Sequence, residues 1–124
     1  MRILYDHFTD VKEWFWKDFK PIEIASRGDG SILVDYQALD KLQLLRELME
    51  RPLIINSAYR DPIHNARIGG APKSSHKEGH AFDISTVGLN KEALIYNARK
   101  VGFRGFGLNY NTFLHVDCGR AREW

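Results

Sequence analysis

Apolar positions recur at helical spacing in three stretches of this chain. In residues 36–50, Leu39, Leu42, Leu45, Leu48 and Met49 form one stripe, with Asp35 as a cap and Pro52 as a stop. Residues 91–101 place Leu94, Ile95, Ala98 and Val101 inward between an Asn90 cap and a Gly102 stop. Residues 8–19 carry Phe8, Val11, Trp14, Phe15 and Phe19 among charges, and Glu13 supports a start at Thr9 or Asp10, so a short amphipathic helix is expected there. Elsewhere the pattern is that of strands: a short one over 31–34, a buried one over 53–59, then 81–85, 103–108 and 112–118, the last two joined by a turn at 109–111. Residues 27–30 read as a turn, and 61–75, with Pro62, Gly69, Gly70 and Pro72, as a long loop of the kind that carries function. Helices and strands mix without regular βαβ alternation, so the class is α+β.

Composition narrows the picture. At 124 residues, with 44% hydrophobic and 27% charged content, the chain is expected to be one globular domain, 1–124. A net charge of +2 excludes a strongly electrostatic nucleic-acid binder, though a mildly basic surface suits an anionic polymer. Cys118 is the single cysteine, so no intrachain disulfide forms, and alternation turns it to the face opposite Asp117, as a buried thiol. No apolar run is long enough to span a membrane, and the N-terminus reaches charge too early for a signal-peptide core. A monomer that does not insert into membranes is expected.

The chemistry concentrates in residues 74–83, Ser-Ser-His-Lys-Glu-Gly-His-Ala-Phe-Asp. His76 and Asp83 are separated by a segment in which Gly79 permits a sharp turn, and His115 follows in Phe113-Leu114-His115-Val116-Asp117. Strand alternation puts Ala81, Asp83 and Ser85 on one face, and Phe113, His115 and Asp117 on one face. If the two strands are neighbours, two imidazoles and a carboxylate converge as the three protein ligands of a catalytic zinc, one ion, with a fourth position for water. Arg60, at a strand end before the long loop, is the candidate to hold a developing oxyanion. Asp117 is the candidate to move the water proton, and equally a partner that orients His115 or His76. Glu78 and His80 are weaker candidates for the proton.

Ser74-x-His76-x-x-Gly79-x-Ala81-x-Asp83 resembles the signature of the zinc D-alanyl-D-alanine carboxypeptidase and murein endopeptidase family, whose fold hedgehog signalling domains share. Asn56-Ser57-Ala58-Tyr59-Arg60-Asp61-Pro62, Asn65 and Gly69-Gly70-Ala71-Pro72-Lys73-Ser74 resemble its Ser-Gly-Tyr-Arg loop and lead-in, and Phe113 through Trp124 resembles the ending of its short members. The likeness covers most of 31–124. It implies a small, mainly antiparallel sheet flanked by helices, zinc on His76, Asp83 and His115, and substrate contacts from Arg60 and Ser74. It also implies hydrolysis of peptide bonds in peptidoglycan, often by phage or bacterial proteins. His80 and Tyr110 join the expected substrate contacts. Many members carry an acidic residue or histidine two or three positions before the last ligand, where this chain has Thr112 and Phe113. The expected setting is a protein made in the cytoplasm that reaches the wall by lysis or in a phage particle. Two other readings remain open: a zinc-bearing wall-binding module without turnover, and an iron oxygenase built on His115-x-Asp117. The latter is opposed by too few strands and no histidine after residue 117.

Overall fold

The computed structural model describes residues 1–124. In chain order it contains strand β1 (Arg2–Tyr5), a short helix α1 (Pro21–Ile24), β2 (Ile32–Asp35), α2 (Tyr36–Met49), β3 (Ile55–Ser57), α3 (Pro62–Arg67), β4 (Ala81–Ser85), α4 (Lys91–Val101), β5 (Gly105–Gly107), β6 (Phe113–Asp117) and β7 (Arg122–Glu123). Single 3-10 turns occupy Phe8–Asp10 and Ser75–Glu78. β1 and β2 pair antiparallel as a separate ribbon, and the other strands form one sheet in the order β3-β4-β6-β5-β7. Within that sheet only β5 and β7 run parallel. The expected α+β class and mainly antiparallel sheet are what the chain adopts.

The sheet divides its side chains by alternation. Phe82 and Ile84 of β4, with Leu114 and Val116 of β6, are fully buried in an apolar core shared with Leu39, Leu42 and Leu45 of α2 and Leu94 and Ala98 of α4. Asp83 and His115 therefore point to the other face, and the β4–β6 register sets them directly opposite each other. Local chemistry fixes both long helices. The Asp35 carboxylate accepts from the Ala38 amide at 3.1 Å and the Asn90 side chain from the Ala93 amide at 3.0 Å, while Gly102 closes α4 at φ 107°. The α2 stripe runs off the core at its end, where Leu48 is 42% exposed.

The segment 8–19 is not a helix. After the turn at Phe8–Asp10 it runs irregularly to Lys20, which is extended (φ −112°, ψ 151°) before Pro21. Its polar groups are satisfied without a helical ladder: the Trp14 indole donates to the carbonyls of Trp16 (3.1 Å) and Phe19 (2.7 Å) within the segment, and the Gln43 side chain of α2 accepts from the Asp18 amide (3.2 Å). The Trp16 indole donates to Asp40 on α2 at 2.9 Å. Burying Trp16 and Phe19 against the core outweighs the local helical preference. The strand expected over 53–59 shrinks to β3, because the Tyr59 and Arg60 amides leave the sheet to donate to the carbonyls of Ile24 and His76. The 61–75 loop holds one short helix, α3, started by Asp61, whose other oxygen accepts from Ser26 Oγ at 2.6 Å and ties α3 to the 27–30 turn. Strands β1 and β7 were not expected from the sequence.

Candidate metal centre

His76 is presented by the 3-10 turn between α3 and β4. Ser74 Oγ accepts from the His76 amide at 3.2 Å, and Gly79 closes the turn in the left-handed region at φ 76°. The His76 ring is buried, and its Nδ1 donates to the Ala58 carbonyl at 2.7 Å. That bond commits the Nδ1 proton and turns Nε2 to face Asp83 Oδ1, 3.2 Å away. From β6, His115 brings its Nδ1 to 3.0 Å from the same oxygen, while its Nε2 lies 2.7 Å from Asp117 Oδ2. One ligand atom from each of His76, Asp83 and His115 lies within 4.8 Å of the other two.

This donor set fits a divalent ion. Nitrogen and oxygen ligands about 2.0–2.1 Å from a common zinc at tetrahedral angles stand about 3.3 Å apart, close to the contacts Asp83 makes with both rings. Each imidazole has its second nitrogen engaged by an oxygen acceptor, which orients the ring and raises its basicity as a ligand. Burial pushes the Asp83 carboxyl upward, but hydrogen bonds from His115 and His76 and their charges outweigh it and hold the group at about 2. Burial likewise pushes His115 down, and the hydrogen bonds and charges of Asp117 and Asp83 together raise it above its ordinary value.

The three residues lie in a cleft of about 500 Å³. Arg60 lines it, its Nε donating to Ser57 Oγ at 3.2 Å and its Nη1 to Asn65 Oδ1 at 3.3 Å, with Nη2 3.6 Å from Asp83 Oδ2. Ser74 and Tyr110 also line the cleft. Tyr110 stacks on Phe113 (4.3 Å, 17°) and its hydroxyl accepts from the Trp124 indole at 2.9 Å; the Trp124 ring sits 4.9 Å from that of His115. These three aromatics make one wall, and a Cβ on Gly107 would sit 2.7 Å from Tyr110, 2.9 Å from His115 and 3.0 Å from Trp124.

Asp117 has no face on the cleft. It is fully buried: Oδ2 accepts from His115, from Arg122 Nη2 at 2.8 Å and from Ser75 Oγ at 3.2 Å, and Oδ1 from Arg122 Nη1 and the Gly119 amide, both at 2.9 Å. Burial acts to raise its carboxyl, but these donors outweigh it and hold the group far below the usual carboxylate range. His80 is not among the cleft residues either: it stands just before β4, where alternation directs it away from Asp83's face, and burial lowers its imidazole despite the nearby Asp117. The half-buried Cys118 thiol is pushed up to about 11 by burial and packs against the core. Sequence reasoning did not single out Ser75, Lys73, Arg122 or Trp124, all of which line the cleft. Phe113 was signalled by sharing a strand face with His115 and by its place in the run that resembles the family's ending.

The fold and centre define an α+β protein with a preorganised two-histidine, one-carboxylate site at the base of a cleft. A model of the Peptidase M15 family matches residues 17–117, and the chain belongs to that family. The matched span contains all three candidate ligands and ends before Arg122 and Trp124. Among characterised relatives, the chain is 36% identical over 89 residues to the zinc D-Ala-D-Ala carboxypeptidase of Streptomyces albus G, covering 68% of this chain and 35% of that protein. It is 30% identical over 122 residues to the peptidoglycan L,D-endopeptidase MepK of Escherichia coli (strain K12), covering 89% of this chain and 61% of that protein. The chain thus spans about a third and three fifths of the lengths of these two relatives.

Proposed function

We propose that this protein is a zinc-dependent peptidase that cuts peptide bonds in the stem or cross-link peptides of bacterial peptidoglycan. The observation that carries the reading is the convergence of His76, Asp83 and His115, each from a different element, on one point of the cleft. Family membership and the names of the two relatives support the substrate class. The charge of the cleft supports it too: Arg122 is matched by the buried Asp117 and Arg60 stands beside Asp83, the one lining carboxylate, which leaves Lys73 as a surplus cation that favours a peptide bearing free carboxylates.

Bound at these ligands, zinc supplies Lewis acidity and makes water a nucleophile near neutral pH. The chain's own residues do the rest. Arg60, braced by Ser57, Asn65 and Asp83, offers a permanently charged guanidinium to the carbonyl oxygen as negative charge develops there. The aromatic wall of Tyr110, Phe113 and Trp124 excludes water from one side of the cleft and gives the aliphatic parts of a peptide a surface to lie on. Of the two roles open to Asp117, orientation of His115 suits its surroundings, since both its oxygens are occupied and it is sealed from the cleft.

The test is mass spectrometry of muropeptides after purified peptidoglycan is incubated with the zinc-loaded protein. New fragments that disappear with a chelator, return with zinc and are absent for His115→Ala support the reading, and their masses identify the bond. Stoichiometric zinc with no fragment from any peptidoglycan overturns it. That outcome favours a wall-binding module without turnover, a reading supported by Thr112 and Phe113 where many relatives carry an acid or histidine, and by the lack of a cleft carboxylate other than Asp83.

A further inference from the structure

The last strand of the chain places a guanidinium behind the metal centre. β7 pairs in parallel with β5, setting Arg122 beside Gly105, and Gly105 in turn faces Asp117 of β6. The Arg122 fork grips Asp117 with two parallel hydrogen bonds, Nη1 to Oδ1 at 2.9 Å and Nη2 to Oδ2 at 2.8 Å. Space for this grip is built into the backbone: a Cβ on Gly105 would collide with both Asp117 Oδ1 and Arg122 Nη1, and one on Gly119 would come within 3.1 Å of Asp117 Oδ1. The guanidinium is further held by the Arg120 carbonyl at 3.1 Å and lies over the Trp124 ring, 4.8 Å from its centroid. Asp117 is wholly buried, so it cannot rotate into water, and its second hydrogen-bonding direction is spent on His115 Nε2.

We infer that Arg122 is a positioning residue for the metal centre, acting through Asp117 to hold the His115 ring in the orientation and tautomer that present Nδ1 as a ligand. The inference rests on the metal-binding reading above. A fork locks the plane of a carboxylate, which a lone ammonium does not, and a locked plane fixes where His115 must sit to share Oδ2. Removing such a support behind a metal ligand costs about 10–100-fold in metal affinity. Acting through Asp117, Arg122 loses its effect once Asp117 no longer carries the carboxylate, whereas a route through Trp124, whose ring sits 4.9 Å from that of His115, would make the two losses multiply.

The experiment measures zinc dissociation constants by competition with a chromophoric chelator, on the full chain and on Arg122→Met, Arg122→Lys, Asp117→Asn and the Asp117→Asn/Arg122→Met pair. The expected results are one zinc bound by the unaltered chain, about 10–100-fold weaker binding for Arg122→Met, a smaller loss for Arg122→Lys, and a double variant no weaker than Asp117→Asn alone. If Arg122→Met does not fold, Arg122→Lys alone and combined with Asp117→Asn makes the same comparison. Tight zinc binding by the unaltered chain with Arg122 variants within twofold of it overturns this inference and leaves the proposed function standing, as do losses that multiply in the double variant. An unaltered chain that binds no zinc overturns both.

Discussion

Gly79 ends the turn that presents His76, and replacing it with alanine is expected to destabilise the protein for two separable reasons. The residue sits at φ 76°, ψ 8°, where an L side chain costs about 1–2 kcal/mol. Its Cβ would also stand 2.8 Å from Cγ and Cδ2 of Leu33 and 3.0 Å from Leu33 Cβ. The nearest atoms include the root of that side chain, so a rotamer change does not clear them, and forced overlap of this kind costs about 1–3 kcal/mol. The sum is about 2–5 kcal/mol. An unfolding entropy of about 2.1 cal/mol/K per residue over 124 residues makes each kcal/mol worth about 4 °C, so the melting temperature should fall by about 8–20 °C. Gly88 supplies the control: it has φ 75° with nothing within 4 Å of its absent Cβ, so Gly88→Ala measures the conformational part alone, about 4–8 °C. Thermal melts with chelator present compare the two variants, and Leu33→Ala in the Gly79→Ala background should recover part of the difference. If Gly79→Ala melts no lower than Gly88→Ala, the steric half of the reasoning is wrong, and if neither departs from the unaltered protein, both halves are.

Two further outcomes follow from the charges of the centre. In the metal-free protein, Asp83 is held at about 2 against an ordinary 3.8, so its contribution to stability is present above pH 3.8 and is lost as pH falls toward 2. The raised His115 has the opposite sign: its contribution is complete below its ordinary value of 6.5 and is lost as pH rises through the higher folded value. Zinc must displace the proton from His115 Nδ1, so affinity should rise by up to about tenfold per pH unit, levelling off once His115 is neutral. The gain in melting temperature on adding zinc should therefore grow between pH 5.5 and 8, and a gain that is flat or shrinks over that range contradicts the assigned ligand. At the cleft rim, Lys73 has no ion-pair partner among the protein's own carboxylates, so Lys73→Glu should raise KM several-fold for a peptide with free carboxylates, leaving kcat and the amidated peptide little changed. Equal weakening on both peptides would refute the pairing.

What the sequence revealed and what it hid divide along the range of the interactions involved. The boundaries of α4 and β4 follow from residues inside or next to them: Asn90, Gly102 and the apolar run after Gly79 act within a few positions. The spacing of Phe8, Val11, Trp14, Phe15 and Phe19 looked equally local, yet that segment is shaped by Asp40 and Gln43 of α2, some 25 positions on, which no window across 8–19 contains. The candidate ligands were legible because strand alternation names the face of Asp83 and of His115. Their meeting needed the β4–β6 register, which only the fold supplies. Arg122 and Trp124 were covered by the family likeness of the ending but had no role legible in it, since a strand of two residues has no period to read and its place beside β5 is a matter of topology.

That topology also explains why the centre is rigid from two directions. β4 and β6 carry Asp83 and His115 in the middle of the sheet, and the supports of the ligands come from the strands outside them. On the β3 side, the chain leaving the strand provides the Ala58 carbonyl that orients His76 and the Arg60 guanidinium beside Asp83 Oδ2. On the opposite side, beyond β5, β7 provides Arg122 for Asp117 and Trp124 for the wall against His115. β3 and β7 are both edge strands, but unequal ones. β3 has three residues and the chain leaving it is tied inward by the amides of Tyr59 and Arg60, whereas β7 has two, held by the Arg122 and Trp124 side chains and backbone bonds with Arg104, Phe106 and Leu108. Edge elements of this kind open first in local unfolding, so loss of support on the His115 side should precede loss on the His76 side as the protein is destabilised. Hydrogen exchange resolves the order: the Arg122 and Trp124 amides should exchange faster than those of Tyr59 and Arg60, and the reverse order would place the weaker flank at β3.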